Sequence, residues 1–179
     1  MAALFRIEAF DKSKHKRDGF ESGISAVDQY FSKTAGKLSK AGNVSFFVMV
    51  EIKAPDIVIG FYTLNAHAVY FADLPAKYKR AKPGHGQIPA AFISMMGIDA
   101  ERQNEGLGAL LLVDALKRIA KGAEAVGIAV VLLDVIDCGD PEKRVRRQAF
   151  YTKFGFQPLP SQPSRLFLPV ASIGNSASV

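Results

Sequence analysis

The stretch Gln103-Asn104-Glu105-Gly106-Leu107-Gly108, followed by the apolar run Leu110 to Val113, decides the reading of the fold. Two glycines just ahead of a helix allow positive φ and close approach of a ligand to the backbone, and the first helical amides lack internal acceptors. Anions settle at such a turn, aided by the helix dipole. A plain tight turn uses the same residues, so position decides between the two. Upstream, Ile88 to Ile98 is an apolar run bounded by Pro89 and Asp99, which reads as a strand buried on both faces. Downstream, Leu107, Leu111, Leu116 and Ile119 mark a helix from about Glu105 to Ala125, and Ile128 to Val135 reads as a second apolar strand. This strand, turn, helix, strand unit sets the helix N-terminus beside the C-terminal ends of parallel strands, where α/β proteins bind ligands. A nucleotide cofactor is therefore the first hypothesis. A dinucleotide-binding unit shares the layout, but here it follows a helix and a hairpin, and no acidic residue stands at the ribose position.

Working outward toward the N-terminus, Ile24, Val27, Phe31, Ala35 and Leu38 recur at three- and four-residue spacing. That spacing predicts one amphipathic helix over Ile24 to Lys40, beginning near Ser22. Val44 to Val50 and Ile57 to Leu64 predict a hairpin turning around Lys53 to Asp56, its second strand extending toward Val69 to Phe71. Ala76 to Gly86 reads as a basic loop or short irregular helix. In the other direction, Asp140-Pro141-Glu142 has the grammar of a helix start, with Asp as cap and Pro in the first turn. The helix runs to Lys153, Gly155 stops it, Phe156 begins a short strand, and Arg165 to Val170 supplies the last one. Residues 1–170 read as one domain and 171–179 as a flexible tail.

Composition bounds the function. The 179 residues suit one globular domain, with 49% hydrophobic and 22% charged residues. Met1 to Phe10 is too short and too interrupted by Arg6 and Glu8 for a signal core, and no apolar run approaches a membrane span, so a cytoplasmic protein is expected. Cys138 is the single cysteine and reads as a loop thiol. No Cys or His cluster has zinc-ligand spacing, and no metal is expected. The 23 Lys and Arg against 17 Asp and Glu leave a net charge of +6. Basic groups cluster at Lys12 to Arg17, at Lys77 to Lys82 and at Lys143 to Arg147, which favours a polyanionic partner over scattered solvation.

The strand ending in Ile98-Asp99, the Gln103 to Gly108 turn, a second strand, and then Ala149-Phe150-Tyr151-Thr152-Lys153-Phe154-Gly155-Phe156 together resemble the GNAT family of N-acetyltransferases. The likeness covers about Phe92 to Phe156, and Gln103, Gly106 and Gly108 match the family's Gln/Arg-x-x-Gly-x-Gly/Ala turn. The resemblance implies an α/β, single-domain GNAT fold: a mixed central β-sheet with splayed parallel strands, flanked by helices. It implies acetyl-CoA as donor, its diphosphate on the amides of Gln103, Asn104, Glu105, Gly106, Leu107 and Gly108. Met96, Ile98 and Phe150 would complete the cofactor site, with Ile98 offering backbone groups to the pantetheine arm. Tyr151 would stand near the thioester sulfur, where a phenol with an ordinary pKa near 10 can protonate a departing thiolate. No general base is identified: Asp137 and Glu142 are near the strand end but suit loop or capping roles, and His67 and His85 read as structural.

The layout further resembles the GNAT toxins of toxin–antitoxin pairs, which acetylate the amino group of aminoacyl-tRNA. Phe20-Glu21-Ser22-Gly23 ahead of the first helix, Val58-Ile59-Gly60-Phe61-Tyr62-Thr63-Leu64, and Phe167-Leu168-Pro169 carry that likeness. Such a protein needs Lys and Arg on phosphates. Lys33, Lys37 and Lys40 form one candidate stripe, joined by Lys77, Lys79, Arg80, Lys82, Arg144 and Arg147. The resemblance also implies an acidic antitoxin partner and a homodimer. Two other readings stay open: a GNAT enzyme for a small amine or a protein amino group, and a non-catalytic CoA- or RNA-binding module.

Overall fold

The computed structural model describes residues 4–78, 81 and 83–176. Lys79, Arg80 and Lys82 lie outside the described residues. One mixed sheet has seven strands: β1 (Phe5–Ala9), β2 (Ser45–Glu51), β3 (Ala54–Tyr70), β4 (Gln87–Ile98), β5 (Val130–Asp134), β6 (Gln157–Leu159) and β7 (Gln162–Pro169), in the order β1-β2-β3-β4-β5-β7-β6. The helices are α1 (Ser25–Gln29), α2 (Ala35–Lys40), α3 (Leu107–Ala123), α4 (Pro141–Lys153) and α5 (Ile173–Ser176). The chain divides into two compact units, residues 1–65 with 94–115 and residues 66–93 with 116–179, and β3, β4 and α3 run through both.

In the first unit, β1 pairs antiparallel with β2, which pairs antiparallel with β3 across a tight connection that leaves Glu51 opposite Ala54. Strand β1 is an addition to the expected elements; its mixed burial blurs any alternation of apolar residues. Phe20, Phe31, Phe46 and Phe61 form a buried aromatic cluster, with ring centroids of Phe20 and Phe31 at 4.5 Å and of Phe31 and Phe61 at 4.7 Å. The single helix expected over Ile24 to Lys40 is instead α1 and α2 joined by a wide π turn, Tyr30–Thr34. Arg17 explains the break. Its guanidinium donates to the carbonyls of Phe31 at 3.4 Å and Ser32 at 2.9 Å, which an α-helix would spend on its own amides. Near the expected start, the Ser22 N–H and hydroxyl both donate to Asp28 Oδ1 at 2.7 Å.

Two glycines set how closely β3 and β4 pack here. A Cβ on Gly60 would stand 2.7 Å from Ile98 Cδ1, and one on Gly97 would stand 2.7 Å from Val27 Cγ1 and 3.1 Å from Phe61 Cε1. Only glycine leaves room for these neighbours.

In the second unit, β4 and β5 are parallel, in register from Ala90↔Val130 to Ile93↔Leu133, as the crossover reading requires. The ladder ends at Ile93, while β4 continues to Ile98. This corrects the expectation of a strand buried on both faces: Ile88, Ala90, Ala91 and Ile93 are buried, Pro89 is exposed, and Phe92 and Ser94 to Ile98 are half-buried. Strand β7 runs antiparallel to both β5 and β6. Val69, Leu74, Ile88, Leu132, Leu159 and Phe167 belong to one core cluster. Helix α4 matches its reading: Asp140 caps it through Oδ1, accepting from the Lys143 amide at 3.1 Å, Pro141 opens it, and Lys153 ends it. The segment expected to be a flexible tail begins as a 3-10 turn, Val170–Ser172, followed by α5, because Ile173 finds a buried position.

Candidate active site

The Gln103 to Gly108 turn is built in the first unit from backbone conformation outward. Asn104 and Gly106 take positive φ of 67° and 79°. Asn is among the residues that tolerate this region, and glycine does so freely. Alternating conformations of this kind aim successive N–H groups into one concavity. Among the described residues, no protein group accepts from the amides of Asn104, Glu105, Gly106, Leu107 or Gly108; the Gln103 amide alone is engaged, on the Ala100 carbonyl at 3.4 Å. Helix α3 starts at Leu107, so its dipole adds to the same concavity. A diphosphate is the chemistry such a run of donors suits.

Side chains hold the turn in place. Gln103 Nε2 donates to the Ser22 carbonyl at 2.8 Å and the Ile98 carbonyl at 3.1 Å. The Gln103 side chain thus tethers the turn to protein, and, unlike the expectation of backbone groups free for the pantetheine arm, the Ile98 carbonyl already has a donor. Asp99 braces the approach, its Oδ1 accepting from the Glu101 amide at 3.0 Å and its Oδ2 from the Glu21 amide at 3.2 Å. Glu105 puts a carboxylate on the turn, which would oppose phosphates. Arg102 engages it through Nε at 3.0 Å and Nη2 at 2.9 Å and also pairs with Glu51. The hydrogen bonds with Glu105 and then Glu51 hold the guanidinium above its already high range, and the same Arg102 contact lowers the Glu105 carboxyl. Arg102 is absent from the expected set; its spacing of three residues from Glu105 is the signal that could have found it. Leu107 is buried and anchors the start of α3, and Met96 is half-buried in β4.

In the second unit, Tyr151 lies in the last turns of α4, its ring edge-on to Phe150 at 5.1 Å and to Phe156 at 6.0 Å. Phe150 also packs on Phe154 at 5.4 Å. The Tyr151 hydroxyl makes no hydrogen bond among the described residues, and the residue is half-buried. Crowding by the surrounding side chains still desolvates the phenol and pushes its pKa up to about 12, against the opposing positive charge of Arg147. The result is an unpartnered hydroxyl that keeps its proton.

The carboxylates considered as bases are engaged or remote from burial. Asp137 accepts from the Gly139 amide at 2.9 Å and stands 3.8 Å from Arg144, and Glu142 is exposed in the first turn of α4. His67 Nδ1 lies 2.8 Å from its neighbour's amide and its ring packs on Phe92, and His85 accepts from the Gln87 amide at 3.2 Å; both residues are exposed. Cys138 is a free, exposed thiol, its pKa lowered chiefly by the hydrogen bond from Arg147 at 3.3 Å.

The basic candidates divide. Lys33, Lys37 and Lys40 are all exposed, the first on the π turn and the others on α2, and none has an acidic partner among the described residues. Lys77 is exposed, its ammonium 4.8 Å from the centre of the Tyr78 ring. Arg144 faces Asp137, and Arg147 is tied to the Ile136 carbonyl at 3.1 Å as well as to Cys138. Arg147 therefore has a structural task that the charge pattern alone conceals. A cleft of about 530 Å³ in the first unit is lined by Asp18, Glu21, Glu51, Asp99 and Glu101 against Lys16 and Arg102. That surplus of carboxylates disfavours phosphate in this cleft.

No profile of a known protein family matches the chain. Individual proteins do. It is 54% identical over 172 residues to the probable toxin TacT of Sinorhizobium fredii, covering 96% of this chain and 94% of that one. It is 30% identical over 149 residues to the tRNA-acetylating toxin of Mycobacterium tuberculosis, covering 83% and 82%. Among solved structures, AtaT complexed with acetyl-methionyl-tRNAfMet superposes with a TM-score of 0.83 at 23% identity, over 97% of this chain and 99% of that one. A mutant AtaT toxin bound to the C-terminus of the antitoxin AtaR and acetyl-CoA gives 0.79 at 19% identity, over 99% and 100%. The structural likeness shows a shared fold, and the sequence likeness extends over nearly the whole chain. With a turn of free amides and an unpartnered tyrosine where the motifs require them in sequence, this chain belongs to the GNAT toxins of type II toxin–antitoxin systems.

Proposed function

We propose that this protein transfers the acetyl group of acetyl-CoA to the amino group of aminoacyl-tRNA and so removes that tRNA from translation. Membership of the toxin family over nearly the full chain is the observation that carries the reading. The amides of Asn104 to Gly108 hold the donor's diphosphate, and their lack of protein acceptors supports this role. Arg102 keeps the Glu105 carboxylate paired, and Gln103 fixes the turn from behind. Leu107 packs the turn down, and Met96 and Ile98 on β4 line the arm of the donor; the likeness to the family, not a contact, is the ground for adding Phe150. The bound thioester supplies an activated acyl group. Tyr151 donates its hydrogen bond, and then its proton, to the sulfur as the C–S bond breaks.

The exposed lysines Lys33, Lys37, Lys40 and Lys77, with Arg144, contact tRNA phosphates; Lys79, Arg80 and Lys82 join them in this reading, and Arg147 serves by orienting its loop. The same basic surfaces suit an acidic antitoxin segment. The protein works in the cytoplasm, where charged tRNA and acetyl-CoA meet, and pairs as a homodimer. Incubation with labelled acetyl-CoA and either charged or uncharged tRNA tests the acceptor. Label on charged tRNA alone is expected. Label on small amines or protein lysines instead contradicts it, and thioester left intact with every acceptor indicates a binding module.

A further inference from the structure

Transfer to an amine leaves a proton to dispose of, and neither Asp137 nor Glu142 is set up to take it. The first unit contains a row of hydroxyls that is. Tyr30 Oη lies 3.0 Å from Thr63 Oγ1, which lies 2.8 Å from Ser94 Oγ, and in both pairs either oxygen can donate. The Thr63 side chain is wholly buried between apolar neighbours on β3, among them Phe61 and Tyr62. Packing gives no reason for a hydroxyl there: valine has nearly the same shape, and a buried polar group costs free energy unless it is paired. Both ends of the row, Tyr30 and Ser94, keep partial exposure. Tyr30 opens the π turn that Arg17 imposes on the first helix, the kind of irregularity that recurs at functional sites. Ser94 is the first residue of β4 beyond the end of its ladder with β5.

Resting on the acetyl-transfer reading above, we propose that Ser94, Thr63 and Tyr30 relay the proton released by the attacking amine to solvent. From Ile98 to Ser94 an extended strand rises roughly 13 Å, a span comparable to an extended pantetheine arm, so an arm laid along β4 from the turn ends near Ser94. The neutral amine attacks, its nitrogen gains positive charge as the N–C bond forms, and the N–H bond then breaks toward Ser94 Oγ. Ser94 gives its own proton to Thr63 Oγ1, Thr63 gives its proton to Tyr30 Oη, and Tyr30 releases one to water. The departing sulfur takes a proton from Tyr151, which is restored from solvent, so no charge is left over. Ser94 touches the amine; Thr63 and Tyr30 are positioning residues that act through it.

The test is steady-state kinetics on charged tRNA with Thr63→Val, Thr63→Ser, Ser94→Ala, Tyr30→Phe and the Thr63→Val/Ser94→Ala pair. Thr63→Val should lower kcat about 10-fold or more with KM for both substrates unchanged, and Thr63→Ser should recover most of the rate. The pair should lose no more than the worse single variant, since one relay is broken either way. In mixtures of light and heavy water, the wild type should show a curved, multi-proton inventory that becomes linear in Thr63→Val. Tyr30→Phe, at the half-exposed end, keeps the measurement available should Thr63→Val fail to fold, and it too should lower kcat with KM unchanged. An undiminished kcat in Thr63→Val or Tyr30→Phe, failure of serine to rescue, or losses that multiply in the pair would overturn the relay alone. A wild type that transfers no acetyl to charged tRNA would overturn the acceptor reading and the relay with it.

Discussion

The Tyr151 phenol holds its proton because its surroundings disfavour a phenolate, and this decides how it can act. With a pKa pushed up to about 12, it stays protonated throughout the physiological range. An ordinary thiol titrates near 8.5, so outright transfer to a free thiolate runs uphill by roughly 5 kcal/mol. In the proposed mechanism the phenol therefore serves as a hydrogen-bond donor while negative charge grows on sulfur, with the positive Arg147 easing late transfer. Tyr151→Phe should lower turnover by roughly 10² to 10⁴ while acetyl-CoA affinity stays within about twofold. A raised pKa moves deprotonation to higher pH, so the wild-type rate should show no alkaline loss from this group up to about pH 10; an ordinary tyrosine would begin to fail there. Equal turnover in Tyr151→Phe would remove its role. The place of Tyr151 near the end of α4 is legible in the sequence, because the Phe150-Tyr151 pair sits in a recognisable helix end. The tether from Gln103 is not, because its acceptors, Ser22 and Ile98, are brought to it only by folding.

At the scale of elements, local grammar reads well wherever the backbone makes its own arrangements. Asp140 and Pro141 announce α4, and the glycine turn announces α3, since caps and φ preferences act within a few residues. It reads poorly where a distant group intervenes. The helix periodicity over Ile24 to Lys40 is real, yet Arg17 takes two carbonyls and opens a π turn. Gly97 is silent in the sequence for the same reason: its need for no side chain comes from Val27 and Phe61, both buried. Gly97→Ala should force these neighbours apart and cost about 1–3 kcal/mol, lowering Tm by roughly 2–12 °C in thermal denaturation. An unchanged Tm would show that the contact between β4 and α1 is looser than described.

At the scale of the whole molecule, a net charge of +6 coexists with an acid-lined cleft, so the positive surplus is concentrated elsewhere on the surface. Lys33, Lys37, Lys40 and Lys77 are exposed places where it collects. Raising salt from 50 to 200 mM should therefore raise KM for charged tRNA about 10-fold or more and leave KM for acetyl-CoA nearly unchanged; equal insensitivity of both would exclude a phosphate-reading surface. The β2–β3 hairpin and the parallel β4–β5 crossover follow from apolar runs visible in the chain, whereas β1, with its mixed burial, and the β5-β7-β6 order do not. A crystal structure of the protein with acetyl-CoA bound tests the proposed site most directly. Diphosphate oxygens should lie about 2.7–3.1 Å from the amide nitrogens of Asn104 to Gly108, with the Tyr151 hydroxyl directed at the sulfur. Diphosphate bound elsewhere, or a hydroxyl turned away from the thioester, would contradict it.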